Sequence, residues 1–224
     1  MPRSVIDAGG VALPYDLVLP EACRGLVVFV HGSGSSRHSP RNRHVAAALQ
    51  HAGFGTLLFD LLQEDEEIDR RAVFDTELLT ERLLHVLAWV RRRHAEVPIG
   101  LFGASTGAAA ALMAAADPAA EVRAIVSRGG RPDLAGQALA VVKAPTLFIV
   151  GGADTAVLAL NRDAAARLRC EHEVHVVPGA THLFEEPGAL DAVVALAREW
   201  FDRHLVVGTT SATAGVPAVR ASHP

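Results

Sequence analysis

Four short stretches hold the residues best suited to chemistry. Gly103-Ala104-Ser105-Thr106-Gly107 sets a serine between two glycines, after the apolar run PIGLF and before AAAALMAAA. Gly151-Gly152-Ala153-Asp154 and Gly179-Ala180-Thr181-His182 each place one ionisable side chain after an apolar run, and His31-Gly32-Ser33-Gly34-Ser35-Ser36 follows GLVVFV. A serine hydroxyl is protonated at neutral pH and is a weak nucleophile alone. It needs a neutral imidazole to take its proton, and a carboxylate to orient that imidazole and stabilise its cation. The chain supplies these groups in the order serine, aspartate, histidine. Ser105 is therefore expected as nucleophile, His182 as base and Asp154 as the acid that holds it.

The spacing around Ser105 is GxSxG, which on a strand-to-helix turn forms a nucleophile elbow. Such a turn exposes the hydroxyl on a strained backbone and needs small neighbours, which Gly103, Ala104, Gly107 and Ala108 provide. The amides of Thr106 and Ser33 are expected to bind a developing oxyanion, with glycines turning the second loop toward that point. His31 reads as an organiser of this loop rather than a base. Asp60 is the alternative acid; His172 and His175 compete weakly as bases, and Asp154 taken singly also reads as a helix N-cap. Neither GxxxxGK[ST] nor GxGxxG occurs at the glycine-rich turn, so a nucleotide loop is not indicated.

These loops need a frame to bring them together. Strand-like apolar runs lie at 25–30, 55–60, 98–103, 122–127, 144–151 and 173–178, and helical segments at 42–53, 76–93, 107–117, 160–169 and 189–205 separate or follow them. Unalternating runs suit strands buried on both faces, and strands alternating with helices specify a mostly parallel sheet covered on both sides, an α/β fold. In such sheets ligands bind beyond the carboxyl ends of the strands, where all four loops fall. An earlier run, VALPYDLVLP, is expected antiparallel at one edge.

Composition narrows the function classes. At 224 residues and 50% hydrophobic content the chain suits one domain, expected over 1–205, with a small, polar, aperiodic tail at 206–224 expected to be disordered. A net charge of −4 offers no basic field for nucleic acid. Arg91, Arg92 and Arg93 sit at a helix end, where cations complement the macrodipole, and Glu64 to Glu67 read as a solvated loop. The two cysteines have no metal-ligand or CxxC spacing, so no metal is expected and a cytoplasmic location is the default. The N-terminus lacks a signal-peptide pattern and the longest apolar runs are strand-length, so no membrane partner is expected.

HGSGSS, GASTG, GGAD and GATH, in their loops, resemble the α/β-hydrolase superfamily and more closely its small dienelactone-hydrolase-like branch, over about residues 11–205. The resemblance implies a single-domain fold and an acyl-enzyme mechanism on small soluble carboxylic esters or lactones, without a cofactor. Dienelactone hydrolases proper carry a cysteine nucleophile, where this elbow has Ser105. Many relatives insert a cap before the strand at 144–151; here only SRGGRPDLAGQALAVVK lies there, so no cap domain is expected. An open site favours small or polar acyl groups, and hydrolysis over transfer. Arg37, Arg41, Arg128 and Arg131 follow two of the strands on this edge, and are expected to bind a substrate carboxylate. An acyltransferase or peptidase using the same three residues, and a non-catalytic binding protein on the same fold, stand as alternatives.

Overall fold

The computed structural model describes residues 4–205. Two short strands, β1 (Val5–Asp7) and β2 (Ala12–Val18), open the chain. Then β3 (Leu26–Val30), β4 (Gly55–Phe59), β5 (Ile99–Ala104), β6 (Val122–Arg128), β7 (Thr146–Gly151) and β8 (His172–Val177) realise the six apolar runs. Every residue of β3, β4, β5 and β7 is buried, as expected of strands covered on both faces. Among the described residues the strands form one sheet in the order β1-β2-β4-β3-β5-β6-β7-β8, parallel from β4 to β8 and antiparallel at β2. The antiparallel strand is not the edge itself: β1 pairs outside it, three residues too short to leave a periodic signal.

The helices are α1 (Pro40–His51), α2 (Arg70–Phe74), α3 (Thr76–Arg93), α4 (Thr106–Ala115), α5 (Thr155–Ala165) and α6 (Ala189–His204). Asp75 begins α3 by accepting from the amides of Glu77 and Leu78, and the three arginines of its last turn meet the carbonyl end. Leu79, Leu83, Val86, Leu87 and Val90 of α3 pack with Leu26, Val28 and Val30 on one face of the sheet. Val27 and Phe29, pointing the other way, pack with Val45 and Leu49 of α1 and Trp200 and Phe201 of α6. Ala109 and Leu112 of α4 share a further apolar cluster with Phe148, Val150 and Ala164 of α5. The chain between β6 and β7 holds only a 3₁₀ segment, Pro132–Ala140, so no cap domain is inserted. The tail expected to be disordered lies outside the described residues.

The layer under β5 is set by a missing side chain. A Cβ at Gly100 would stand 2.8 Å from Phe201 Cε1. Gly100→Ala is therefore expected to lower stability by ~1–3 kcal/mol through overpacking, and Phe201→Ala by ~3–5 kcal/mol through the cavity it leaves. Removing the ring makes room for the methyl, so urea unfolding of the double variant should give a loss smaller than the sum of the two. Strict additivity would mean that the two positions do not touch.

Candidate active site

The elbow forms where β5 runs into α4. Ser105 has φ 50° and ψ −124°, a backbone that side-chain-bearing residues rarely adopt. A serine before a helix usually caps it, accepting from an amide of the first turn. Here the Ser105 side chain makes no capping bond, so its hydroxyl is not committed to the helix. The turn is closed by neighbours that approach to backbone distance. A Cβ at Gly107 would lie 2.2 Å from the Val30 carbonyl oxygen, one at Gly103 2.6 Å from Ala108 Cα, and one at Gly32 2.8 Å from both Ala104 O and Ser105 Cβ. Each glycine is required by contact, as the small-residue pattern suggests.

Asp154 combines its two sequence readings by dividing its oxygens. One accepts from the Val157 amide as the N-cap of α5 at 3.4 Å, and the other lies 2.8 Å from His182 Nδ1. The acid is the more enclosed partner, its side chain 16% exposed against 39% for the histidine. Backbone bonds brace the two loops: Ala153 N–H donates to Ala180 O and Gly152 N–H to Val177 O. The His182 loop is further tied by the Thr181 amide and hydroxyl, which both donate to Glu186. Asp60, the alternative acid, is engaged elsewhere: it accepts from the Arg37 amide and pairs with the Arg37 guanidinium.

Ser105 and His182 both meet the loop after β6. The Ser105 amide donates to Arg128 O at 3.3 Å, while a Cβ at Gly129 would stand 3.1 Å from His182 O and 3.5 Å from its Nδ1. The turn after β6 thus contacts both the elbow and the histidine.

Ser33 and Thr106 come together in a way their local sequence does not reveal. The Ser33 amide donates to Thr106 Oγ1 at 3.0 Å, drawing the loop after β3 against the first turn of α4. For the Ser33 amide to serve an oxyanion, this bond must be shared or exchanged. The Thr106 amide stands at the first position of α4, where a helix offers it no internal acceptor.

The four arginines divide. Arg37 is paired with Asp60, and Arg131 makes a two-pronged bond to Asp133 at 2.8 and 2.9 Å. Arg41 reaches Glu185 at 3.2 Å on a partly exposed side chain. Arg128 is buried, with no carboxylate on it among the described residues; it has a 3.5 Å bond to Asn42 Oδ1 and lies 5.9 Å above the Phe184 ring. Burial, with the charge of Arg41 adding to it, pushes the Arg128 guanidinium down to about 10, so it still carries its charge at neutral pH. Past the end of the Ser33 loop, at Ser36, a cavity of about 470 Å³ is lined by Arg37, Asp60, Gln63, Glu64 and Glu67 among others; neither Ser105 nor His182 lines it.

A model of the α/β-hydrolase fold matches residues 25–141. The chain belongs to the α/β-hydrolase family. A crystal structure of a dienelactone hydrolase from Anabaena variabilis is 52% identical, with a TM-score of 0.87 over 91% of this chain and 97% of that one, which places the chain in the dienelactone-hydrolase-like branch. Est1E from Butyrivibrio proteoclasticus, at 17% identity and a TM-score of 0.75 over 89% of this chain and 97% of that one, shares the fold. A curated protein of Mycobacterium tuberculosis named "Putative phosphoribosyl transferase" is 60% identical over 202 residues, 89% of this chain and 46% of that protein. The chain thus spans about half the length of the curated relatives it matches. No helix among the described residues is long and apolar enough to cross a membrane.

His31 fastens the loop that carries Ser33 to the turn after β4. Its Nδ1 donates to Gly32 O, and its Nε2 accepts from the Leu61 amide at 3.0 Å, so the ring is neutral with its proton on Nδ1. Burial holds its pKa below the ordinary 6.5, outweighing the Gly32 bond and the charge of Asp60, which raise it. The unfolded chain then takes up this proton before the folded one does. The contribution to stability is whole above pH ~6.5 and is lost as pH falls from there toward the folded value. Urea midpoints measured at pH 7.5 and 5.5 should drop more for the unsubstituted protein than for His31→Gln, which has no such proton to gain. Equal drops would show that His31 does not titrate in this window.

Proposed function

We propose that this chain is a serine hydrolase of small soluble carboxylic esters or lactones, acting through an acyl-enzyme. The observation that carries the reading is the 2.8 Å contact of His182 Nδ1 with Asp154 Oδ2, beside a turn that also bonds the backbone of a serine whose hydroxyl does not cap its helix. A proton on Nδ1, held by Asp154, leaves Nε2 as the base. In the proposed cycle Ser105 attacks the carbonyl carbon as His182 Nε2 takes its proton. The Thr106 and Ser33 amides stabilise the tetrahedral oxyanion, and the imidazolium returns its proton to the departing alkoxide. Water, deprotonated by the same nitrogen, then releases the acid and restores Ser105. Without a cap the site is open to water, which favours hydrolysis over transfer to another acceptor.

The dienelactone-hydrolase relative supports ester or lactone chemistry, while Ser105 replaces the thiol that dienelactone hydrolases proper use. Phosphoribosyl transfer, in the name of the mycobacterial relatives, belongs to proteins about twice as long. Of the four arginines, Arg128 is the one left to meet an anionic acyl group, since Arg37, Arg41 and Arg131 already face Asp60, Glu185 and Asp133.

Ser105→Ala should abolish ester turnover and fluorophosphonate labelling with the fold intact by circular dichroism, and Asp154→Asn should lower kcat by about 10³ to 10⁴. Turnover by Ser105→Ala near the unmodified rate would remove Ser105 from the mechanism. An unlabelled but folded parent protein would favour a binding role instead.

Arg128→Gln should raise KM for a carboxylate-bearing ester by about tenfold to a hundredfold, the equivalent of one charge-assisted hydrogen bond, and leave KM for its neutral analogue nearly unchanged. Equal effects on both substrates would make Arg128 a packing residue only.

A further inference from the structure

Asn161 lies on α5, about two turns beyond Asp154, and is completely buried. Its Nδ2 donates to Gly130 O at 2.9 Å and to Val157 O at 2.8 Å, and its Oδ1 is buried without a partner among the described residues. A buried amide with an orphaned oxygen costs stability, so packing alone does not account for it.

The Gly130 carbonyl belongs to the peptide unit whose N–H is that of Arg131, and this N–H donates to Ser105 O at 3.0 Å. One peptide plane therefore receives the Asn161 side chain at one end and grips the backbone of Ser105 at the other. It has little room to tilt. A Cβ at Gly130 would fall 2.0 Å from Ser127 Oγ and 2.6 Å from Ala108 Cβ, wedged between β6 and the elbow helix. At the start of the same turn, Arg128 O accepts from the Ser105 amide and Gly129 N–H donates to Ile149 O, while Gly129 packs on His182.

We propose that Asn161 is a positioning residue for Ser105: through the Gly130–Arg131 peptide it fixes the strained elbow relative to the helix that carries Asp154. This rests on the reading of Ser105 as nucleophile. Asn161 touches neither substrate nor the reacting atoms. Its part is to keep the turn that contacts both elbow and histidine from shifting, because misplacing a nucleophile by about 1 Å costs on the order of a hundredfold in rate.

The test uses the full chain, a p-nitrophenyl ester and a fluorophosphonate probe. Asn161→Leu keeps the approximate volume but cannot donate. At a temperature well below its melting point, its kcat and its rate constant for fluorophosphonate labelling should both fall by roughly tenfold or more, with KM changed by less than about threefold. Asn161→Gln, which keeps the amide, should recover part of both. The acid limb of the pH profile should keep its position, since the Asp154–His182 contact is untouched. Wild-type kcat and labelling in Asn161→Leu, even with a lowered melting temperature, would overturn the proposal and leave Asn161 a structural residue. Hydrogen exchange checks the link without any variant: the Arg131 amide should be protected in the wild-type protein, and free exchange there would equally overturn the proposal. Failure of the wild-type protein to react with either reagent would instead count against Ser105 as nucleophile.

Discussion

A serine held at φ 50° is the constraint on which the rest of the site depends. Such a backbone costs about 1–3 kcal/mol and persists only where its surroundings leave no alternative. Here the Ser105 amide is tied to Arg128 O, and its carbonyl accepts from both Ala108 and Arg131. Around these bonds, Gly32, Gly103 and Gly107 bring the turn after β3, the end of β5 and the start of α4 to distances that no side chain would permit. The order of strands makes this possible. β5 lies between β3 and β6, so the loops of its two neighbours stand on either side of the elbow. One brings Ser33 and Thr106 together; the other reaches His182 through Gly129.

The frame was legible where burial left a one-dimensional trace. Strands covered on both faces read as unbroken apolar runs, and all six runs became strands within a residue or two, although β8, last in the sheet order, is mostly exposed or half-buried. The helix at Thr76–Arg93 was equally clear, because an apolar stripe repeats along it and Asp75 marks its start. Short elements leave no such trace: β1 pairs over three residues and α2 spans five. Helix α5 was recognised five residues late, since TAVLAL has no charged face to betray its period until Asn161 and Arg162. The N-cap reading of Asp154 already marked the correct start.

For the site, the individual candidates and the contact of Asp154 with His182 were legible, and the other pairings were not. GxSxG, GGAD and GATH are local patterns, each tied to the end of a strand, so the fold carries them to one edge. Which polar atoms then meet depends on the packing of segments far apart in the chain. The Ser33 amide on Thr106 Oγ1 joins residues 73 positions apart, and the Asn161 amide on Gly130 joins residues 31 apart. Asn161 itself sits in an ordinary amphipathic helix, and the only hint of its position is a polar residue where the stripe turns inward. The arginines illustrate the same limit. Four guanidinium groups after two strands look equivalent in sequence, and only their carboxylate neighbours separate them.

That separation leaves an imbalance across the carboxyl edge of the sheet. Beside the Ser33 loop, Asp60, Glu64 and Glu67 outnumber Arg37, and burial together with the charges of Asp60 and Glu64 raises the pKa of Glu67. Beyond the elbow the sign reverses: Arg128 is buried with no carboxylate on it among the described residues, and the nearby charge of Arg41 makes its own less favourable still. The Phe184 face and one long bond to Asn42 offset only part of the lost hydration. A guanidinium in this state gains more from an arriving anion than one already paired, because its desolvation is complete before the ligand arrives. On the proposed reading, the same burial that weakens the fold at Arg128 prepares it to hold an acyl carboxylate, and the acidic flank turns such a group away from the other side of the elbow.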